Sequence, residues 1–314
     1  MFGRLFGSSS KDSSNTGTRK LSPAITSSIL STVGTKSIPS MPGAAQKAFK
    51  LATDPSAEAR DFIEVIESDE ALSARVLKIA NSVFFDRGKP SQTIEESVLV
   101  IGMNELRCLL NATSLCDIFP SKHPARGQFW ANDVATALIA RGLAERLLPA
   151  KSELAFLAGL MHDVGKLLLL QRASEGYSKV MRAVEDKAID YQNAEIEEFP
   201  FDHTEVGQLI GERWNFGPDL IAVIRNHHTP WKDLNPHAGE DLLTCIVKGA
   251  DIFAHALGLG HLKGMAKFKA QKLEECEGAF EALKIPVSDR KQLLARFQKT
   301  FEVEYDLYAG NSAR

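Results

Sequence analysis

The chain has 314 residues, with 37 Lys+Arg against 40 Asp+Glu, a net charge of −3, and 44% hydrophobic residues. That length holds one large or two modest domains with a substantial core, and the balanced charge argues against a dedicated nucleic-acid binder, whose footprint is a basic excess. The four cysteines, Cys108, Cys116, Cys245 and Cys276, form no C-x-x-C pair. Zinc-finger, dithiol and disulfide-framework readings therefore give way to buried, reduced thiols. No window offers the roughly 18 uninterrupted apolar residues of a membrane helix, and no apolar run marks a secretory signal. The expectation is a cytoplasmic protein.

Residues 1–21 open with MFGRLFGSSSKDSSNTGTRK, a Ser-, Thr- and Gly-rich stretch that cannot build a core. It reads as an untethered tail, the alternative being a small docking or membrane-touching element made by Phe2, Leu5 and Phe6 beside Arg4. From Ser22 the pattern is helical. Phe62, Val65, Ile66, Leu72, Val76 and Ile79 recur at three- and four-residue steps. Thr93 with Glu96 predicts a capping box, and Gly102 predicts the end of the helix it opens. Phe156 to Leu170 reads as one buried helix, although His162, Asp163 and Lys166 interrupt it. Asp202 with Glu205 predicts a second capped start, running to Trp214, and Gly217–Pro218 a stop and restart. Leu293, Leu294, Phe297 and Phe301 predict a last amphipathic helix opened by Ser288. Strand-like alternation is scarce, so the predicted fold class is all-α. The softest boundary is PSKHPARG, at Pro120–Gly127. It divides a helical portion at 22–120 from a histidine-rich core at 121–260, with residues 261–314 as charged helices packed on that core.

Four of the eight histidines fall in a suggestive order. His162 precedes Asp163, His203 opens DHTEVGQLIGERW, His227 and His228 are paired, and Asp251 follows on another apolar-patterned helix. Neighbours on one helix point about 100° apart, so convergence of His162 and Asp163 needs help from other helices. Imidazole with carboxylate suits Fe, Mn, Zn or Ni better than Ca. Burying such groups unpaired costs several kcal/mol, so either a metal or a closed polar network involving Lys166 must satisfy them.

HDVGK, the later His, the HH pair and the still later Asp resemble the HD superfamily of metal-dependent phosphohydrolases. With IPSMPGAAQKAFKLATDPSAEARDFIEVIESDEALSARVLKIANSVFF and IEESVLVIGMNELRCLL, the resemblance narrows to the HDOD domain, a signalling-associated relative of the HD-GYP phosphodiesterases. It spans roughly residues 22 to 310 and implies a helical N-terminal portion packed on an HD-like core. The metal-ligand set it implies is His162, Asp163, His203, His227, His228 and Asp251. The resemblance has one gap: in FWANDVATALIARGLAE, Asn132 stands where catalytic relatives carry a metal-binding His, and the GYP signature is absent. An amide oxygen is a weaker ligand than imidazole, so metal affinity and water activation should suffer.

Two functions follow from the resemblance. The first is a non-catalytic regulatory module of bacterial signal transduction that acts through a protein partner, and through a small ligand if it takes one. It requires no cofactor, although its HD residues could hold a structural metal. The second is a metal-dependent phosphohydrolase or cyclic-dinucleotide phosphodiesterase, with His162, Asp163 and Lys166 at the reaction. That reading needs a substitute for Asn132. His123 and His237 sit in Pro-flanked segments, and His255 and His261 lack motif support. In the N-terminal portion, Asn81 reads as satisfying backbone groups at a helix end. On the alternative reading Asn81, with Phe84 and Phe85 beside it, would line a partner or ligand groove between the two portions.

Overall fold

A computed structural model of the chain describes residues 20–35, 38, 40–41, 43–54, 56–85, 88–116, 118–237, 239–261 and 265–309. The expected docking element at Phe2, Leu5 and Phe6 lies outside the described residues. The elements are α1 (Pro23–Val33), α2 (Gly43–Ala52), α3 (Ala59–Glu67), α4 (Glu70–Ala80), α5 (Ile94–Ile101) and α6 (Met103–Cys116), then α7 (Arg126–Leu147), α8 (Ser152–Met161), α9 (Val164–Arg172), α10 (Ser174–Lys187) and α11 (Tyr191–Glu198). They continue with α12 (His203–Arg213), α13 (Pro218–Asn226), α14 (Gly239–Leu257), α15 (Ala266–Ala282) and α16 (Val287–Tyr308). There is no strand among the described residues, and the fold is all-α.

Local chemistry sets several helix ends. The Thr93 hydroxyl accepts the Glu96 N–H (3.1 Å), while the Glu96 carboxylate reaches back one residue further than a strict capping box, to the Gln92 N–H (2.7 Å). Asp202 makes the full box: its Oδ1 accepts from Thr204 and Glu205, and Glu205 accepts from the Asp202 N–H. Gly102 ends α5, and Gly217 with Pro218 opens α13. Two expectations fail. The helix foreseen from Phe156 to Leu170 is two helices, broken at His162 and Asp163. The last helix is capped by Pro286 and starts at Val287, because the Ser288 hydroxyl is engaged by Asp289 (2.8 Å) and not by a backbone N–H.

In the N-terminal portion, α2 packs on α6, and α3, α4 and α5 pack on one another. Phe62 and Ile66 of α3 and Val76 and Ile79 of α4 are buried, as their spacing requires. The later helices surround α7, whose residues from Phe129 to Ala140 are all buried, so that stretch has no solvent face. It packs against α8, α14 and α16, while α9 lies on α12 and α15 on α14. The halves are not separate: α1 packs on α9 and α12, α6 packs on α8, and the buried apolar side chains form one contiguous cluster. All four cysteines are buried.

Candidate functional site: a buried histidine–carboxylate centre

The site exists because α8 stops. His162 is the last residue with helical dihedrals before Asp163 (φ −103°, ψ 16°) opens α9, and this turn lets two adjacent side chains face one interior point. Gly165 then allows α9 to touch α12. A Cβ there would lie 2.0 Å from the His203 carbonyl oxygen, closer than any side chain tolerates. That contact brings Asp163 beside His203, with its Oδ1 3.2 Å from His203 Nε2 and 3.6 Å from His227 Nε2.

Three imidazoles are aimed in the same manner. His162 Nδ1–H donates to the Gly159 carbonyl (2.7 Å), His203 Nδ1–H to Glu195 Oε2 (2.6 Å), and His227 Nδ1–H to the Ile224 carbonyl (3.1 Å). Carbonyl and carboxylate oxygens only accept, so each Nδ1 carries hydrogen and each Nε2 is turned toward the centre. His228 Nε2 lies 3.1 Å from His203 Nε2. Asp163, His203, His227 and His228 form one tight donor group, and Asp133, His162 and Asp163 form a second that shares Asp163. Asp251 adjoins them, its Oδ1 3.4 Å from His162 Nε2. The structure thus gathers all six histidine and aspartate candidates into one buried region.

Lys166 is buried, and its ammonium donates to Asp163 Oδ2 (2.5 Å) with Nζ 4.5 Å from the centre of the Tyr191 ring. Burial would lower its pKa, but Asp163, Asp251 and Glu195 outweigh this and raise it. The same contest splits the histidines. Burial opposes charge at His162 and His203, yet Asp163 and Asp251 beside the first, and Glu195 and Asp163 beside the second, push both up to about 9. His227 is driven down to about 4 by burial and by those two neighbours. Burial raises Asp133 to about 8, while burial against the nearby histidines and Lys166 still leaves Asp163 well below the ordinary carboxylate range.

Asn132 is buried near this region. Its side-chain amide donates to the Leu259 carbonyl (3.1 Å) and lies 3.4 Å from His255 Nδ1. His123 bonds Ser178 and Ala125, and the backbone of His237 bonds Asn235, so neither belongs to the centre. Asn81 ends α4 with its amide paired to both the N–H (2.7 Å) and the carbonyl (3.0 Å) of Ser91, the backbone role its position suggested. Phe84 is exposed and packs edge-on to half-buried Phe85, 4.8 Å between ring centres.

Two residues of the site, Asp133 and Glu195, escaped the sequence reading, and two more, His255 and His261, were set aside for want of motif support. Asp133 sits in the buried stretch of α7 directly after Asn132, and a charge within the mostly apolar run from Phe129 to Ala140 was its signal. His255 had a signal too, four residues after Asp251 on one face of α14 and 3.2 Å from it. Glu195 and His261 carried none, since only the fold brings them in.

Does this donor set fit a metal ion? His162 Nε2, Asp163 Oδ1, Asp251 Oδ1 and Asp133 Oδ2 are buried and have no aligned hydrogen-bond partner. Unpaired buried donors of mixed N and O type are what a divalent transition ion satisfies, so the residues fit.

An all-helical protein built around a buried histidine–carboxylate centre is the class that fold and site define. The HDOD domain model matches residues 38–230, more than half of the chain, and the chain belongs to the HDOD family. The match ends before Asp251. Solved structures agree on the fold. An HDOD domain protein of unknown function from Geobacter sulfurreducens superposes with a TM-score of 0.70 at 22% identity, covering 91% of this chain and 95% of that one. A candidate phosphohydrolase from Shewanella amazonensis SB2B gives 0.67 at 24% identity, covering 90% and 98%. An uncharacterised protein from Treponema pallidum (strain Nichols) is 27% identical over 208 residues, which are 65% of this chain and 39% of that protein. The chain thus spans about two-fifths of that curated relative. No helix among the described residues is long and apolar enough to cross a membrane.

Proposed function

We propose that this chain is a regulatory module of bacterial signal transduction whose HD centre binds a divalent Fe, Mn, Zn or Ni ion and which acts through a protein partner without turning over a substrate. The observation that carries the metal is the set of buried donor atoms without partners, with three imidazoles oriented through their Nδ1 hydrogens. Burial supports a non-catalytic role. His162, Asp163, His203, His227 and Asp251 are all buried, and structural metal sites are closed where catalytic ones keep an open position. Asn132, an amide where an imidazole would bind more tightly, agrees with this reading. Exposed Val83, Phe84 and Leu99 in the N-terminal portion supply apolar surface of the kind partners cover.

A second reading, the metal-dependent phosphohydrolase or cyclic-dinucleotide phosphodiesterase, is favoured by one feature: Asp163 is shared by two donor groups, as in two-ion sites, with Lys166 against it. Ions held there would supply Lewis acidity toward a phosphate oxygen. Elemental analysis, with hydrolysis assays on cyclic dinucleotides and bis-p-nitrophenyl phosphate, tests both. The expected result is about one ion or more per chain, lost in His162→Ala and Asp163→Ala, with no turnover. Metal-dependent turnover that vanishes in those variants overturns the regulatory reading, and protein that takes up no ion overturns both.

A further inference from the structure

His255 was set aside on sequence grounds, yet like the three oriented imidazoles it has its Nδ1 engaged and its Nε2 turned toward a carboxylate of the centre. Its Nδ1 is engaged by His261 Nε2 at 2.8 Å, and its Nε2 points to Asp251 Oδ1 at 3.2 Å. The same Asp251 oxygen lies 3.4 Å from His162 Nε2. That oxygen is buried and lacks an aligned donor, although two imidazole nitrogens face it. A neutral imidazole carries one N–H. In the tautomer that donates Nδ1–H to His261 Nε2, which is the one a bound ion selects, His255 presents a bare Nε2 beside the bare carboxylate oxygen. Two lone-pair atoms side by side repel unless a cation lies between them.

The fold holds this arrangement deliberately. Asp251 and His255 are one turn apart on α14, and the His255 ring packs edge-on to Phe268 at 5.0 Å. Past α14 the chain reverses through Gly258 (φ 76°) and Gly260 (φ 71°), left-handed positions that favour glycine. A Cβ on Gly260 would meet the Asn132 backbone nitrogen at 2.3 Å. This close turn seats the Leu259 carbonyl on the Asn132 amide and brings His261 to His255.

We propose that His255 is a further metal-ligating imidazole, completing the Asp251 end of the HD centre, with His261 as the acceptor that orients its ring. The inference rests on the metal-binding reading above and names residues outside the motif that suggested it. Asp251 and His255 stand outside the two tight donor groups, connected to them through His162 Nε2.

The test is metal affinity, measured with Zn²⁺ and separately with Mn²⁺ by chelator competition on the full chain. His255→Ala and His255→Gln are expected to lose at least tenfold in affinity, with the melting temperature of the metal-free protein kept near that of the wild type in His255→Gln, which fills most of the ring's space. The Asn132 amide lies 3.4 Å from the His255 ring, so a histidine there reaches the space the ring vacates. The double variant Asn132→His/His255→Ala should therefore recover affinity. With Co²⁺ as a spectroscopic probe, the visible absorption of His255→Gln should differ from that of the wild type. Unchanged affinity and an unchanged Co²⁺ spectrum in both His255 variants overturn this inference alone. A wild-type chain that binds neither Zn²⁺ nor Mn²⁺ overturns the metal reading, and this inference with it.

Discussion

At the scale of single residues, the centre is a balance between burial and charge. His162 and His203 hold protons up to about 9 because carboxylates outweigh desolvation, and burial keeps Asp133 protonated up to about 8. All three bind protons more tightly folded than unfolded. The contribution of the two imidazoles to stability is complete below about 6.5 and is lost as pH rises through about 9, whereas that of Asp133 is complete only below 3.8 and is lost as pH rises through about 8. His227, at about 4, does not titrate in this window. The melting temperature of chelator-treated protein should therefore fall by several degrees between pH 6.5 and 9.5, and an ion, which displaces those protons, should flatten the curve. A metal-free profile flat over that range contradicts the assignment of charge. The HD pair, His203, the HH pair and Asp251 were legible as residues, because each type is chemically distinctive and costly to bury. Their partners were not: Glu195 fixes the His203 tautomer from eight residues away in sequence, on a helix whose pattern marked nothing.

At the scale of elements, two close helix crossings place the donors. Gly159 lets α8 approach α7, with a Cβ there 2.7 Å from Ala137 Cα, and Gly165 lets α9 approach α12. Gly165→Ala forces the His203 backbone away, and overpacking of this kind costs about 1–3 kcal/mol or more. The prediction is a lowered urea midpoint together with lost metal uptake. Gly278→Ala is the control: a Cβ there meets nothing within 4 Å inside α15, so it should stabilise by about 0.5–1 kcal/mol and leave metal uptake intact. Equal effects of the two would mean that the α9–α12 contact does not set the site. Caps at Asp202 and Thr93 and the stop at Gly217 could be read because they act within four residues. The break at His162–Asp163 could not, because Phe156 to Leu170 is apolar enough to continue as one helix and contacts with α7 and α12 decide where it turns.

At the scale of the whole molecule, α16 ties the two portions together. Arg141 of α7 donates to Glu105 of α6 (2.9 Å) and to Glu304 of α16 (2.7 Å), while the Tyr308 hydroxyl donates to Glu105. The Trp130 indole N–H adds a bond to the Tyr308 carbonyl (3.1 Å). Arg141→Met strands two carboxylates in a mostly buried setting, and breaking such a pair costs about 3–5 kcal/mol. Because the apolar core is one cluster, the urea transition should move to lower midpoint as a single step of unchanged slope. An early, separate transition would show that α16 docks independently.

What the sequence determined by itself was the helical class, several helix ends and the inventory of metal-capable residues, since propensity, capping and side-chain chemistry act locally. Tertiary structure alone decided which of those residues meet. Asn132 and Leu259, or Arg141 and Glu304, come together across more than a hundred residues, and only close packing of α7 against α14 and α16 selects those pairs. His255 shows the division most plainly. Its residue type was visible from the start, but its direction depends on a glycine turn that folds back onto another helix.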